Sequence, residues 1–285
     1  MKKNFLNLGK QPIANSFLSS ISKSSLKKEY FYSLFVSFNT KNFLISITKP
    51  VDPKRQYTNQ YAHRASESQT MRVAFNKIYS KLKKRFKPKK SLEIGSNDGV
   101  FIKNWDKETS FAVEPCGNFA KETNDLGYKT YNNFWTKELS NKILVEHGEM
   151  ELVFSANCMC HIPDLDEAFS AVRNILSING VFVFEDPSLA EMINVNSYDQ
   201  IYDEHPHIFS VTALQNILIK HGLHIVKVEN TSVHGGSNRV WVQSTDTNKD
   251  HTVSDNLDME KVVGLQDPST YDRFAESVAK SKSDL

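Results

Sequence analysis

Ser91-Leu92-Glu93-Ile94-Gly95-Ser96-Asn97-Asp98-Gly99 is the stretch that decides the fold. A short apolar run, Leu92 and Ile94, enters a turn built on two glycines four residues apart. Val100, Phe101, Ile102 and Trp105 then carry helical apolar spacing, which predicts a helix near Phe101–Asp106. Strand, glycine turn and helix in this order bring backbone N–H groups and a helix N-terminus against a nucleotide-like ligand. Two phosphate-binding motifs fail at this turn. G-x-G-x-x-G would need glycines where Asn97 and Val100 stand, and the G-x-x-x-x-G-K-[S/T] loop would need Lys103 behind a correctly spaced glycine.

What remains, E-x-G-x-x-x-G, resembles the loop of the S-adenosylmethionine (SAM) methyltransferase fold. SAM carries a sulfonium and a carboxylate but no pyrophosphate, so a loop with Glu93 and Asp98 suits it better than a phosphate. The resemblance implies that Glu93, Gly95, Asn97 and Gly99 bind the cofactor. Nineteen residues after Gly95, Phe111-Ala112-Val113-Glu114 is an apolar run ending in a carboxylate. An acid at the tip of a second strand accepts hydrogen bonds from both hydroxyls of a ligand ribose. Capping the helix that starts near Asn118 is the other role open to Glu114.

From Ser91 onward strands and helices alternate. Strands are predicted at Leu92–Ile94, Phe111–Val113, Tyr128–Tyr131, Leu152–Ser155, Val181–Glu185, His224–Val228 and Arg239–Gln243. Besides Phe101–Asp106, helices are predicted at Asn118–Leu126, Thr136–His147, Leu165–Leu176 and Thr212–His221, the last with Ser210 as N-cap and Gly222 as its stop. Seven strands, the last two joined without a helix, make a doubly wound α/β sheet of the Rossmann-like class I methyltransferase type. Thr70 to Phe86 reads as a further helix. Three regions follow: a small irregular N-terminal lobe over 1–65, a methyltransferase domain over 66–245, and a linker with a C-terminal helical segment over 246–285. Ser244 to Asn256 reads as linker, and Leu257–Leu285 as helical with no obvious core.

With 39% apolar residues, 18 Phe and 10 Tyr, the chain has material for a full core. Thirty-five basic against 33 acidic residues leave a net charge of +2, which implies no polyanionic partner and no nucleic acid. The basic run Lys81–Lys90 reads as the C-terminal turn of a helix plus an exposed linker, because lysines favour helix C-termini; a nucleic-acid or membrane patch is the alternative. Cys116, Cys158 and Cys160 fit no disulfide framework, and no signal peptide or membrane-length apolar span is present, so a cytoplasmic protein is expected. Cys158-Met159-Cys160-His161 holds potential metal ligands but lacks paired C-x-x-C spacing, and no metal is expected.

Several segments together resemble the sugar C-methyltransferases that place a methyl branch on nucleotide-linked deoxy-ketosugars. They are Leu8-Gly9-x-x-Pro12-x-Ala14-Asn15-Ser16-Phe17, Glu93–Gly99, Val113-Glu114-Pro115, Ala156-Asn157-x-x-x-His161-Ile162-Pro163-Asp164-Leu165, Tyr202-Asp203-Glu204-His205, and His234-Gly235-Gly236-Ser237-x-Arg239-Val240. Two departures stand out. The family's N-terminal lobe carries zinc-binding cysteine pairs, absent from 1–60, and the family continues into a second Rossmann-like domain where this sequence ends. A shortened chain or a streamlined relative with a different acceptor is therefore expected.

Methyl transfer is an in-line displacement that needs alignment, exclusion of water and removal of one proton. A proton acceptor that titrates near neutrality points to histidine. His205 lies between the fifth strand of the alternation and its following helix, near the carboxyl ends where ligands bind; without the family pattern, His207 is equally eligible. The resemblance implies His205 as the base that takes a proton from carbon beside a ketone. Glu204 would orient or charge-stabilise it, and Tyr202 would bond the substrate oxygen. Asn157 would contact the methionine moiety, Phe134 or Trp135 would lie along the adenine, and Tyr61 would close over the cofactor, with Pro115 following Glu114. His161 and His234 are expected near the acceptor. The expected cofactor is SAM, leaving as S-adenosylhomocysteine. The expected acceptor is a carbohydrate or nucleotide sugar of a surface glycan, with O-methylation of such a sugar or a non-catalytic SAM-binding role as alternatives.

Overall fold

A computed structural model describes residues 2–18, 29–247 and 249–284. Its centre is a seven-stranded sheet in the order β10-β11-β8-β7-β4-β5-β6. The strands are β4 (Ser91–Ile94), β5 (Ser110–Val113), β6 (Lys129–Tyr131), β7 (Met150–Ala156), β8 (Leu176–Pro187), β10 (His224–Thr231) and β11 (Ser237–Gln243). β4 to β8 run parallel, while β11 lies antiparallel to both β8 and β10. Every residue of β4 and β5 is buried, which is why Phe111–Val113 reads as a continuous apolar run and β4 shows Leu92 and Ile94 on either side of Glu93. Because β4 pairs with β5 on one side and β7 on the other, the chain reverses direction beside it. That switch point is where open α/β sheets bind ligands.

Helices α1 (Gln69–Phe86), α2 (Gly117–Asp125), α3 (Lys137–His147), α4 (Leu165–Ile175) and α6 (Val211–Leu218) accompany the sheet, while α5 (Leu189–Val195) packs Leu189, Ala190 and Met192 into the core shared by the N- and C-terminal segments. The basic run ends α1: Lys83, Lys84 and Arg85 occupy its last turn, and Lys87 closes it in the left-handed conformation. Ser210 caps α6 by accepting from the Ala213 N–H at 3.0 Å, and Gly222 (φ 64°) ends the single 3-10 turn that follows.

Four expectations need correction. The helix at Phe101–Asp106 is only a 3-10 turn, Ile102–Asn104. The Asn104 amide donates back to the Val100 and Phe101 carbonyls at 3.2 and 3.0 Å, competing with helical N–H groups for them. The glycine loop therefore does not run directly into an α-helix. The N-terminal lobe is not irregular either. β1 (Lys2–Pro12), β2 (Phe31–Asn39), β3 (Ile45–Ile47) and β9 (His207–Ile208) form an antiparallel sheet in the order β1-β2-β3-β9. Its last strand comes from the segment just after Tyr202–His205.

The supposed linker contains the start of α7 (His251–Val263), followed by α8 (Pro268–Asp284). Nor do these two helices lack a core. Tyr271 is buried against Phe38 and Phe5, with ring centroids 4.5 and 5.2 Å apart, and Leu265, Phe274 and Val278 are buried with it. Glu260 of α7, fully buried, accepts from the Val211 and Thr212 N–H groups at 2.6 and 2.8 Å and from the Thr212 hydroxyl at 2.7 Å. A carboxylate from the C-terminal segment thus satisfies the N-terminal N–H groups of α6. Among the described residues, no helix is long and apolar enough to cross a membrane.

Candidate active site

The glycine loop leaves the carboxyl end of β4 and is pinned to the end of β5. Gly95 N–H donates to the Val113 carbonyl at 2.9 Å, and Asn97 N–H to Glu114 Oε2 at 2.6 Å. Gly95 sits at φ 73°, and a Cβ there would fall 2.5 Å from Cys158 Sγ. Glycine at this position lets the loop lie against β7's exit segment. Beside the loop opens a cavity of about 810 Å³, within the range typical of ligand sites.

Of the residues read from the sequence as cofactor contacts, Glu93, Gly95, Asn97, Glu114, Pro115, Asn157, Phe134 and Tyr61 line this cavity. Gly99 does not. A Cβ there would meet Thr123 Cγ2 of α2 at 2.6 Å, so this glycine serves close packing behind the loop. Trp135 also lines the cavity but is tied to the core by its indole N–H, which donates to the Ala168 carbonyl at 3.1 Å.

Glu93 Oε2, Ser96 Oγ and Asn157 Oδ1 are buried without a hydrogen-bond partner, and all three residues line the cavity. Acceptors left open in this way suit an ammonium or sulfonium group, and so fit the methionine end of SAM. Burial pushes the Glu93 carboxyl well above its usual range. Glu114 Oε1 accepts from Cys116 N–H at 2.7 Å while Oε2 takes the Asn97 N–H, fixing the carboxylate with lone pairs to spare for a ribose. Burial raises its pKa, against these hydrogen bonds.

A strap over residues 57–67 crosses the loop. Asn97 holds it from both ends of its amide: Oδ1 accepts from Ala65 N–H at 2.9 Å, and Nδ2 donates to the His63 carbonyl at 3.0 Å. Ser66 donates to Asp98, and Arg64 pairs with Glu122 and Asp98. The Asn97 side chain therefore ties this strap to the glycine loop.

At the other end of the cavity stand Tyr202, Glu204 and His205, with His161 and His234. The His205 Nδ1 lies 2.7 Å from the Gln200 carbonyl, which only accepts, so the ring carries its proton on Nδ1 and leaves Nε2 as a lone pair. Burial lowers its pKa to about 4, so the ring is neutral at pH 7. His161 lies beside it with ring centroids 5.0 Å apart; its Nδ1 is 2.9 Å from the Tyr57 hydroxyl and its Nε2 is buried without a partner. Tyr202 packs its ring 4.4 Å from that of His205. His234 occupies a left-handed conformation (φ 53°) ahead of Gly235 and Gly236.

Three assignments change with this geometry. Glu204 does not orient His205: its oxygens accept from Asn15 Nδ2 at 2.8 Å and from the Tyr61 hydroxyl at 2.7 Å, while Gln200 holds the imidazole. Tyr61 correspondingly serves as a clamp on Glu204 as well as lining the cavity. His207 is excluded as a base, because Ser46 Oγ occupies Nδ1 at 2.9 Å and the Pro163 carbonyl Nε2 at 3.1 Å.

Sequence reasoning missed Tyr57, Gln200 and Asp203. Asp203, 1% exposed, accepts from Ala14 N–H at 3.0 Å, Gln56 Nε2 at 2.9 Å and the Tyr32 hydroxyl at 3.5 Å, docking the N-terminal lobe on the Tyr202–His205 segment. Only its place inside Tyr202–His205 hinted at this. Gln200 acts through its carbonyl, which no residue pattern reveals.

A family model described as a methyltransferase domain matches residues 61–228, and one described as a C-methyltransferase C-terminal domain matches residues 232–285, so the expected absence of the family's C-terminal domain is corrected for this segment. The chain is 33% identical over 190 residues to the C-methyltransferase NovU of Streptomyces niveus, covering 65% of this chain and 45% of that protein. It thus spans a little under half the length of this curated relative. Among solved structures, a SAM-dependent methyltransferase from Anabaena variabilis superposes with a TM-score of 0.49 at 11% identity, over 62% of this chain and 86% of that one. The CurJ carbon methyltransferase gives a TM-score of 0.44 at 14% identity, over 61% of this chain and 54% of that one. With the methyltransferase-domain match covering more than half of its length, this chain belongs to the SAM-dependent methyltransferase family of the class I, Rossmann-like fold.

Proposed function

We propose that this protein transfers the methyl group of SAM to a carbon beside the ketone of a carbohydrate, most simply a nucleotide-linked keto sugar, with His205 as general base. The observation that carries the reading is the His205 tautomer: Nδ1–H is committed to Gln200, so Nε2 is a free lone pair in the cavity that the donor loop also lines. SAM supplies an electrophilic methyl on a good leaving group. His205 Nε2 takes the proton from the acceptor carbon, and Tyr202 stands beside it to bond the carbonyl oxygen as negative charge develops there. Glu204, clamped by Asn15 and Tyr61, holds the Tyr202–His205 segment in register with the N-terminal lobe. The C-methyltransferase description of NovU supports carbon as the methylated atom, and the segments shared with the sugar C-methyltransferases support a keto sugar.

The test is to incubate the protein with ¹³C-methyl SAM and a keto-sugar nucleotide, then locate the label by NMR. A methyl resonance coupled to a sugar carbon is expected. A methoxy resonance would replace this reading with O-methylation, and SAM binding without transfer to any keto sugar would point to a non-catalytic module.

A further inference from the structure

His161 and His205 line the acceptor end of the cavity, and the buried thiol of Cys160 lies beside them, a grouping that goes beyond the single base methyl transfer needs. Cys160, His161 and His205 each offer one ligand atom, and these atoms lie within 4.8 Å of one another. Tetrahedral zinc with Zn–N of about 2.0–2.1 Å and Zn–S of about 2.3 Å separates its ligands by about 3.5 Å, so closure of about 1 Å assembles three of four positions. Small side-chain rotations supply a movement of that size.

The surroundings match what metal-bound histidines need. A ligating imidazole donates its second N–H to a fixed acceptor, which sets the tautomer and aims the free nitrogen. His205 does this through Nδ1–H to the Gln200 carbonyl, and His161 has its Nδ1 against the Tyr57 hydroxyl. The Nε2 atom of His161 is buried with no partner of its own. Behind Cys160 lies Asp186, whose Oδ1 faces the Cys160 N–H at 3.4 Å and whose Oδ2 is unpartnered. Two imidazoles and one thiol select a borderline-soft divalent ion such as zinc over magnesium or calcium.

We propose that Cys160, His161 and His205 form a transition-metal site whose fourth position opens into the acceptor cavity, and that Zn²⁺ bound there inhibits methyl transfer. On binding, Cys160 Sγ–H loses its proton to solvent and a metal–sulfur bond forms, while each histidine contributes a lone pair. Inhibition follows because His205 Nε2 can bond the metal or take a substrate proton, but not both. The metal site stands on geometry alone; the inhibition rests on His205 being the base.

Cobalt makes the two claims separable. Titrating the full chain with Co²⁺ is expected to give one equivalent of bound metal with a thiolate-to-cobalt charge-transfer band and intense tetrahedral d–d bands. Zn²⁺ should abolish both. Cys158→Ala should keep the spectrum, whereas Cys160→Ser and His161→Ala should lose the charge-transfer band or weaken binding at least tenfold, with circular dichroism unchanged. Zn²⁺ should inhibit the wild-type protein, and its half-inhibiting concentration should rise at least tenfold in Cys160→Ser relative to that variant's own uninhibited rate. Absence of the cobalt band, or its persistence in Cys160→Ser, overturns the site and leaves the role of His205 intact. A normal cobalt spectrum without zinc inhibition overturns the inhibition.

Discussion

Replacing Gly95 and Gly99 by alanine, one at a time, separates donor binding from packing within one turn. Both glycines hold positive φ, 73° and 78°, where an L side chain costs about 1–2 kcal/mol. Both also leave no room for a methyl: at Gly95 it would stand 2.5 Å from Cys158 Sγ and 2.8 Å from its Cβ, and at Gly99 2.6 Å from Thr123 Cγ2. Overpacking of this kind adds about 1–3 kcal/mol. Each substitution should therefore cost about 2–5 kcal/mol in total, but in different places. Gly95 lines the cavity, and relief of its clash must displace the loop that holds the donor. Gly99 faces α2, away from the cavity. Calorimetric titration with SAM should show Gly95→Ala weakened by at least tenfold, since about 1.4 kcal/mol is a factor of ten. Gly99→Ala should bind SAM within about threefold of wild type while losing its stability in urea. Equal SAM affinities in the wild type and Gly95→Ala, both folded, would refute the assignment of this loop to the donor.

Glu260→Gln should lower the melting temperature by several degrees, because an amide cannot accept all three hydrogen bonds at the start of α6; differential scanning calorimetry measures it. Tyr61→Phe strips one of the two side-chain donors from Glu204, 2% exposed, and an unsatisfied buried carboxylate costs about 1–3 kcal/mol or more; kcat should fall with SAM affinity little changed. His207 gives a pH signature. Its folded pKa is depressed from 6.5 to about 4 by burial, so its contribution is present above about pH 6.5 and is lost as pH falls towards 4. The stability gap between wild type and His207→Gln, measured in urea, should therefore shrink by about 2 kcal/mol from pH 7 to pH 5. A gap independent of pH would contradict a neutral, doubly bonded His207.

The central sheet was legible because its strands are buried on both faces, so Leu92–Ile94 and Phe111–Val113 stand out as apolar runs between turns. The N-terminal sheet was not. β1 is an edge strand with most side chains exposed, and the alternation of Tyr32, Leu34 and Val36 on β2 is diluted by exposed Phe31 and Phe35. The C-terminal core was hidden because its partners, Phe5 and Phe38, lie more than 200 residues earlier in the chain. In the site, Glu93, Gly95, Asn97 and Gly99 of the glycine loop, Glu114, Glu204 and the histidines His161, His205 and His234 stood out by residue type and spacing, and all of them but Gly99 line the cavity. The groups that aim them did not: Gln200 works through its backbone, and Asn15, Tyr57 and Tyr61 reach Glu204 and His161 only once the lobe has folded onto the cavity.

The most direct test of the account follows the proton that His205 is proposed to remove. A keto-sugar nucleotide is incubated in D₂O with the protein and S-adenosylhomocysteine, so that no methyl can be transferred, and exchange of the carbon-bound proton beside the ketone is followed by NMR. Wild type should wash deuterium into that position, and His205→Ala, folded and still binding S-adenosylhomocysteine, should slow the exchange at least a hundredfold, the low end of what a positioned base contributes, about 10²–10⁴-fold. Exchange at an undiminished rate in His205→Ala, or no exchange in a wild-type protein that methylates the same sugar, would contradict it.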